Sequence, residues 1–394
     1  MRDRSVPGSG SPSGTLGSRL GRSILHTGIV AAIGVLVVSC GGRGKSIALD
    51  REVFIADVDP RVDAIARTRD GGFVVTGTGI GAWVVATDEQ GKRLWQYNEP
   101  IDDRNQTADQ AVPQTQFHGS VALANGNTLL CGGRYKNGQT ENLLVILDRK
   151  GSLVERRVEV PTDDPSLKYS NFYQCFTRQD GILLLGNTND GTHGYIWLVE
   201  LDGNGAKRRQ ALVDKAPDAA AGTIDGPGFV FTAWDSQGSF RVIRANDKGE
   251  TIAKRVLAGE FIVQLRPIVE TEKTWLLIFR AGKATLYILD ERLQDFQPPK
   301  AIEGYFDPHD GRGFVLADGS IVLFARSANA AIALMGVQGK MLSMREFGPK
   351  YTSYSVSDAV SISANEFVTV RGSVSRDPQD RGLVMSWVAI KEGK

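Results

Sequence analysis

Asp70-Gly71-Gly72-Phe73-Val74-Val75-Thr76-Gly77, followed by Trp83-Val84-Val85-Ala86-Thr87-Asp88-Glu89-Gln90-Gly91-Lys92-Arg93-Leu94-Trp95, is one complete copy of a phrase that recurs seven times after residue 60. Each copy holds an apolar run, a short turn, a second apolar run, a loop, a third run and then Asp-x-x-Gly. The first turn is Asp70-Gly71-Gly72, Asn125-Gly126, Asp180-Gly181, Asp225-Gly226, Glu272-Lys273, Asp318-Gly319 or Asn365-Glu366. Five of these seven set Gly after Asp or Asn, which suits the positive φ angles of tight hairpins. The second turn recurs as Asp88-x-x-Gly91, Asp148-x-x-Gly151, Asp202-x-x-Gly205 and Asn246-x-x-Gly249. Asp290 has Leu293 where Gly is expected, and Gly339 and Gly393 keep the glycine alone.

Units of this kind cannot bury their own apolar faces and must stack on one another. Each copy reads as four strands, A before the first turn, B after it, C before Asp-x-x-Gly and D after it. The spacing is close to the roughly 40 to 50 residues of a four-stranded propeller blade. The expected fold is therefore all-β, a seven-bladed β-propeller of four-stranded blades; a β-sandwich would not repeat one phrase in this way. Blade seven reaches only strand C, Met385-Ser386-Trp387-Val388-Ala389-Ile390, before the sequence given stops. Leu49-Asp50-Arg51-Glu52-Val53-Phe54-Ile55 resembles a D strand, so an N-terminal strand is expected to complete the last blade and close the ring, leaving no raw edge.

Upstream, Arg19 and Arg22 precede an apolar run from Gly28 to Val38 that is too short to span a bilayer and reads as a secretory signal. Its end, Val37-Val38-Ser39-Cys40, resembles the lipobox of bacterial lipoproteins. The resemblance implies that residues 1–39 are a signal peptide, that Cys40 is acylated, that residues 40–47 are a lipidated tether with Arg43 and Lys45 near the headgroups, and that the propeller occupies residues 48–394. Several acyl chains hold such an anchor stably. In a Gram-negative cell, Gly41 after the Cys implies the outer membrane, facing the periplasm. The Gly-, Ser- and Pro-rich stretch before Ser18 leaves the true start codon open.

Removing residues 1–39 takes four Arg and one Asp from 46 basic and 45 acidic side chains, leaving 42 and 44. That balance gives no reason to expect a nucleic-acid partner. Besides Cys40 the chain has only Cys131 and Cys175, on neighbouring strands of blades two and three. They are either a disulfide, which export would allow, or two buried thiols. Of the four histidines, His118, His193 and His309 fall in the mature chain, on different blades and without zinc-site spacing. Gly77-Thr78-Gly79-Ile80-Gly81 has no following helix and reads as a loop, not a phosphate cradle. No metal, cofactor or catalytic constellation is expected, so the chain does not read as an enzyme.

Loops carry the functional expectation, because recognition resides in long loops on a rigid scaffold. The D-to-A and B-to-C connections share one face. On it lie the long segments 98–116, with Asp102, Asp103 and Arg104, and 161–171, with Asp163, Asp164, Lys168 and Tyr169. The B-to-C connections 134–141, with Arg134 and Tyr135, 187–194, and 372–381, with Arg376, Asp377 and Arg381, read as further loops. The stretch Ala86 to Trp95 resembles bacterial quinoprotein-type propellers, which include the assembly-scaffold lipoprotein of the outer-membrane β-barrel machinery. That resemblance implies a propeller and transfers no active site. Three readings follow: an envelope scaffold binding another protein, an immunity lipoprotein neutralising a periplasm-delivered toxin, or an enzyme or small-ligand binder using the central channel.

Overall fold

The computed structural model describes residues 44–394, apart from 80, 101–114, 137–138, 162–166, 168, 191–193, 216–217, 226–227, 235–239, 258–260, 269–272, 281–282, 303–312, 317, 327–329, 337–339, 348–355, 375–376 and 393–394. Strand β1 is Lys45–Ala56. Sheet one holds β2 (Val62–Arg67), β3 (Phe73–Thr78), β4 (Ala82–Thr87) and β5 (Arg93–Asn98). Sheet two holds β6 (Thr115–Ala122), β7 (Thr128–Lys136), β8 (Gln139–Leu147) and β9 (Leu153–Glu159). Sheet three holds β10 (Tyr169–Arg178), β11 (Gly181–Asn189), β12 (Gly194–Leu201) and β13 (Lys207–Lys215). Sheet four holds β14 (Asp218–Asp225), β15 (Gly228–Trp234), β16 (Phe240–Ala245) and β17 (Thr251–Leu257). Sheet five holds β18 (Phe261–Ile268), β19 (Lys273–Arg280), β20 (Lys283–Leu289) and β21 (Asp295–Ile302). Sheet six holds β22 (Gly313–Val315), β23 (Ile321–Arg326), β24 (Ala330–Met335) and β25 (Met341–Glu346). The last holds β26 (Asp358–Ser361), β27 (Glu366–Val374) and β28 (Arg381–Glu392), with β1 as its outer strand.

All these pairings are antiparallel, and strand order follows chain order in every sheet except the one that recruits β1. Strands β3 and β4 are buried along their whole length, whereas β9 is exposed over its first four residues. Continuous apolar runs mark strands covered on both faces, and mixed ones mark an edge. Between sheets one and two the core is Val74, Val84, Phe117, Leu130 and Leu143. Between two and three, Phe172 stacks on Trp197 with centroids 5.1 Å apart. Between the last sheet and the first, Trp387 meets Phe73 edge-on at 5.9 Å, alongside Ile55, Trp83 and Met385.

The C-to-D turns share one construction. The Oδ1 atoms of Asp88, Asp148, Asp202, Asn246 and Asp290 each accept hydrogen bonds from the backbone N–H groups two and four residues on, at 2.8–3.0 Å. The residue three positions on then turns left-handed, as at Gly91 (φ 85°) and Gly151 (φ 81°). At Gly91 a Cβ would lie 2.6 Å from the Trp387 ring, so close packing reinforces the backbone demand. Leu293 makes the same turn at φ 59°, although left-handed geometry costs an L-residue roughly 1–2 kcal/mol. Its side chain is fully buried against Val230, Val242 and Leu289, which offsets that cost. These backbone bonds hold the Asp148 and Asp202 carboxyls below the usual carboxylate range.

At the joined ends, β1 pairs with β28 from Lys45↔Glu392 to Ala56↔Gly382. The boundary drawn from sequence at residue 48 is thereby corrected. Lys45, Ser46 and Ile47 belong to β1 and not to a tether, because Ile47 is buried beside Ile390 and Lys45 pairs with Asp318. Arg371 on β27 is completely buried, and its guanidinium bonds Glu52 of β1 at 2.6 Å and the Ser386 hydroxyl, while its carbon lies 4.2 Å from the Phe347 ring centre. Arg51 covers Trp387 at 3.9 Å and donates to the Glu89 carbonyl of sheet one.

Removing one partner of a buried pair strands the other charge, at about 3–5 kcal/mol. Glu52→Ala should lower stability by about 3 kcal/mol on that account, and deletion of residues 46–56 should depress Tm further; an unchanged Tm for the deletion would refute the role of β1. Because the Asp148 and Asp202 values are depressed on folding, the stability they contribute is present above the unfolded carboxylate pKa of about 3.9 and is lost as pH falls through the folded values. Carboxyl NMR titration should find both groups still ionised where exposed aspartates have half-titrated.

Candidate functional site

The A strands stand next to one another around the centre, β2 beside β6, β6 beside β10, β10 beside β14, β14 beside β18, and β26 beside β2. Among the described residues, five of them carry a β-bulge at an equivalent place. Asp63, His118, Tyr173, Ala220 and Val263 are each the extra residue, skipped between Val62/Ala64, Phe117/Gly119, Phe172/Gln174, Ala219/Ala221 and Ile262/Gln264. A bulge re-aims one side chain and bends its strand. On sheets one to three the residue ahead of the bulge faces a glycine on strand B: Gly77, Gly132 or Gly186. A Cβ on Gly132 would lie 1.9 Å from the Gln116 carbonyl, and one on Gly186 would lie 2.5 Å from that of Asn171. The glycines make room for the kink.

Sheets one to three thus place Asp63, His118 and Tyr173 where sheets four and five place Ala220 and Val263. Asp63 accepts a hydrogen bond from the Thr78 hydroxyl. The His118 Nε2 lies 3.4 Å from the Asn171 side-chain nitrogen, and its ring centre is 6.2 Å from that of Tyr173. Asn171 Oδ1 is buried without a hydrogen-bond partner among the described residues. This hairpin-side stretch of the A strands, the mouth, offers hydroxyl, imidazole, carboxylate and amide groups suited to hydrogen bonding, while the Tyr173 ring also packs against the core between sheets three and four. Among the described residues no three His, Cys, Asp or Glu side chains converge as a metal site, and no helix is long and apolar enough to cross a membrane.

Directly behind the mouth, Cys131 of β7 and Cys175 of β10 form a disulfide across sheets two and three, with Cα atoms 6.3 Å apart. Gly119 follows the His118 bulge, and a Cβ there would approach the Cys175 sulfur to 2.9 Å. The sequence left bridge and separate thiols open; the structure pairs them.

The B-to-C connections differ from the loops expected. Arg134 and Tyr135 lie on β7, paired in register with Glu141 and Thr140, and Arg134 bonds the Glu141 carboxylate at 2.6 Å. The segment 187–194 is ladder as far as Asn189↔Gly194, and 372–381 as far as Val374↔Arg381, with a single 3-10 turn, Pro378–Asp380, between. Asp377 caps that turn by accepting the Gln379 N–H at 3.0 Å, while Arg381 opens β28. Up to those pairs the segments are ladder and not loop, because polar residues, no less than apolar ones, satisfy the backbone by pairing. Tyr169 likewise is the first residue of β10, opposite Asn189. Asp102, Asp103, Arg104, Asp163, Asp164, Lys168, Arg376, His193, His309 and Cys40 lie outside the described residues.

The root of the 98–116 connection is fixed. Glu99, buried, accepts from the Tyr97 hydroxyl at 2.7 Å and pairs with Arg156 of sheet two at 2.7 Å. Burial, helped by the Glu99 bond, pushes the Tyr97 phenol up to about 12. Glu159 repeats the arrangement one sheet on, with Lys207 at 3.0 Å.

No protein-family model matches this chain, and no curated protein does. Among solved structures, the Dos1 propeller superposes with a TM-score of 0.52 at 9% identity, covering 83% of this chain and 77% of that one. The fold is a β-propeller. A second solved structure, KlHsv2 with its loop 6CD replaced by a Gly-Ser linker, reaches a TM-score of 0.48 at 10% identity, covering 84% of this chain and 98% of that one. At these identities the likeness extends to the fold alone.

A disulfide closing a loop of 44 residues stabilises by roughly 2–4 kcal/mol through the unfolded chain. The Cys131→Ser/Cys175→Ser variant should lose that amount in chemical denaturation. Identical denaturation midpoints for the oxidised and fully reduced wild type would show that the two sulfurs are not bridged.

Proposed function

We propose that the protein is a binding or scaffold lipoprotein of the bacterial cell envelope, anchored through acylated Cys40 and holding another envelope protein on one face of a β-propeller. In this reading the seven sheets are seven blades, and β1 closes the ring by completing the last. The β-propeller fold is consistent with an interaction scaffold. The observation that carries the reading is the asymmetry of the mouth: polar and aromatic bulge residues on sheets one to three, beside the B-to-C connections that carry Arg134, Tyr135 and Asp377. A rigid, polar, aromatic-bearing rim on one face is the composition of a recognition surface more than of a reaction centre. His118 has an amide neighbour in Asn171, a pairing that fits a hydrogen-bonding rim.

The lipidation reading rests on Val37-Val38-Ser39-Cys40 and the short apolar run before it. An outer-membrane address facing the periplasm follows from Gly41 in a Gram-negative cell.

The test is capture of the tagged, mature lipoprotein from envelope extracts, with variants on opposite faces. A partner should be recovered by the wild type and by Gln90→Ala on a tight turn, and be lost with Tyr135→Ala/Asp377→Arg. Retention by that double variant, or recovery of no envelope protein by the wild type, would overturn the proposal.

A further inference from the structure

Strand β1 does more than pair: it fixes where the N-terminal segment enters the propeller. Its first residue, Lys45, lies opposite Glu392 at the end of β28, on the face of the tight A-to-B and C-to-D turns. Three contacts mark that face. Lys45 pairs with Asp318 of the sheet-six A-to-B turn, Arg51 donates to the carbonyl of Glu89 in the sheet-one C-to-D turn, and the Ile390 N–H donates to the Asn365 carbonyl of the last A-to-B turn. The other end of β1, Ala56, lies opposite Gly382 at the face of the B-to-C hairpins.

Five residue steps separate Cys40 from Lys45, a reach of at most about 17 Å for a fully extended chain. The twelve residues of β1 rise about 36 Å from the turn face to the hairpin face. A chain of the shorter length that starts at Lys45 cannot bring its lipid to the hairpin face. Described turn tips on this side are polar, among them Asp70, Gln90, Asn125, Asn204 and Asn365, which suits the hydrated headgroup layer.

We infer that the tight-turn face beside Lys45 is the surface the protein turns toward its own lipid bilayer, and that the mouth formed by Asp63, His118 and Tyr173 points away from it. The inference rests on acylation of Cys40. The partner therefore approaches from the aqueous compartment and does not lie between the propeller and the membrane that anchors it.

The test uses the full lipidated chain in phosphatidylethanolamine–phosphatidylglycerol vesicles carrying a quencher on the headgroup. A fluorophore is placed at Asn365→Cys or at Gln379→Cys, two exposed sites at opposite ends of the same sheet. Mass spectrometry of the mature chain comes first: an unmodified Cys40 refutes the lipid anchor itself, and with it the orientation. With the acyl group present, quenching at position 365 should exceed that at position 379 several-fold. Equal or reversed quenching would overturn the orientation while leaving the lipoprotein reading intact. Inserting a long Gly-Ser segment between Gly44 and Lys45 should abolish the difference; its persistence would show that something other than tether reach sets it.

Discussion

Sheet one has two apolar faces and therefore needs a neighbour on each side. Val74 and Val84 of sheet one point to Phe117 and Leu143 of sheet two, whereas Val75 and Val85 point back to Val368 and Met385 of the last. Alternation along a single strand thus supplies two different cores. At roughly 25 cal/mol for each Å² of apolar surface, a sheet left open on one side would forfeit the burial of several large side chains. The first and last sheets share such a core, and β1, which leads into the first sheet, pairs with β28 of the last. Its charged lock, Glu52 with Arg371, sits where the guanidinium is fully buried, so registry is fixed by a group that tolerates only one partner position.

The turns follow from the same stacking. An Asp carboxylate folds the C-to-D corner locally through two backbone N–H bonds, and the left-handed residue after it must also be flat enough to slide beneath the preceding sheet. Gly91 under Trp387 and Gly151 under Trp95 answer both demands. Leu293 answers only the first in the usual way, and it replaces flatness with apolar burial. Sequence degeneracy in the repeat is therefore not structural degeneracy.

This explains what could be read in advance. The strand order, the turn positions and the recruitment of Leu49–Ile55 to the last sheet were legible, since they depend on apolar runs and on Asp, Asn and Gly chemistry. The polar ends of strands were not: Arg134-Tyr135-Lys136 and Asn187-Thr188-Asn189 look like loop, yet the ladder continues through them. Lys45-Ser46-Ile47 was hidden for the same reason. The bulges at Asp63, His118 and Tyr173 leave no mark on hydropathy, because one inserted residue merely shifts the alternation. A fainter signal was present in Gly77, Gly132 and Gly186, which recur near the ends of strand B; a glycine inside a strand marks close approach of another backbone.

Once the bulges are placed, the repeat ceases to be uniform where it matters. The same backbone kink presents carboxylate, imidazole and phenol on sheets one to three, and occurs at Ala220 and Val263 on sheets four and five. The kink recurs on all five sheets with different residues in it, so geometry alone does not select its occupant. Where the selection is polar on three consecutive sheets, it coincides with the Cys131–Cys175 link and with the inter-sheet pairs Glu99–Arg156 and Glu159–Lys207. These cross-links join sheets one, two and three through side chains as well as through apolar packing. Side-chain links of this kind limit how far the three sheets can shift against one another, and the Arg255–Asp295 pair does the same between sheets four and five.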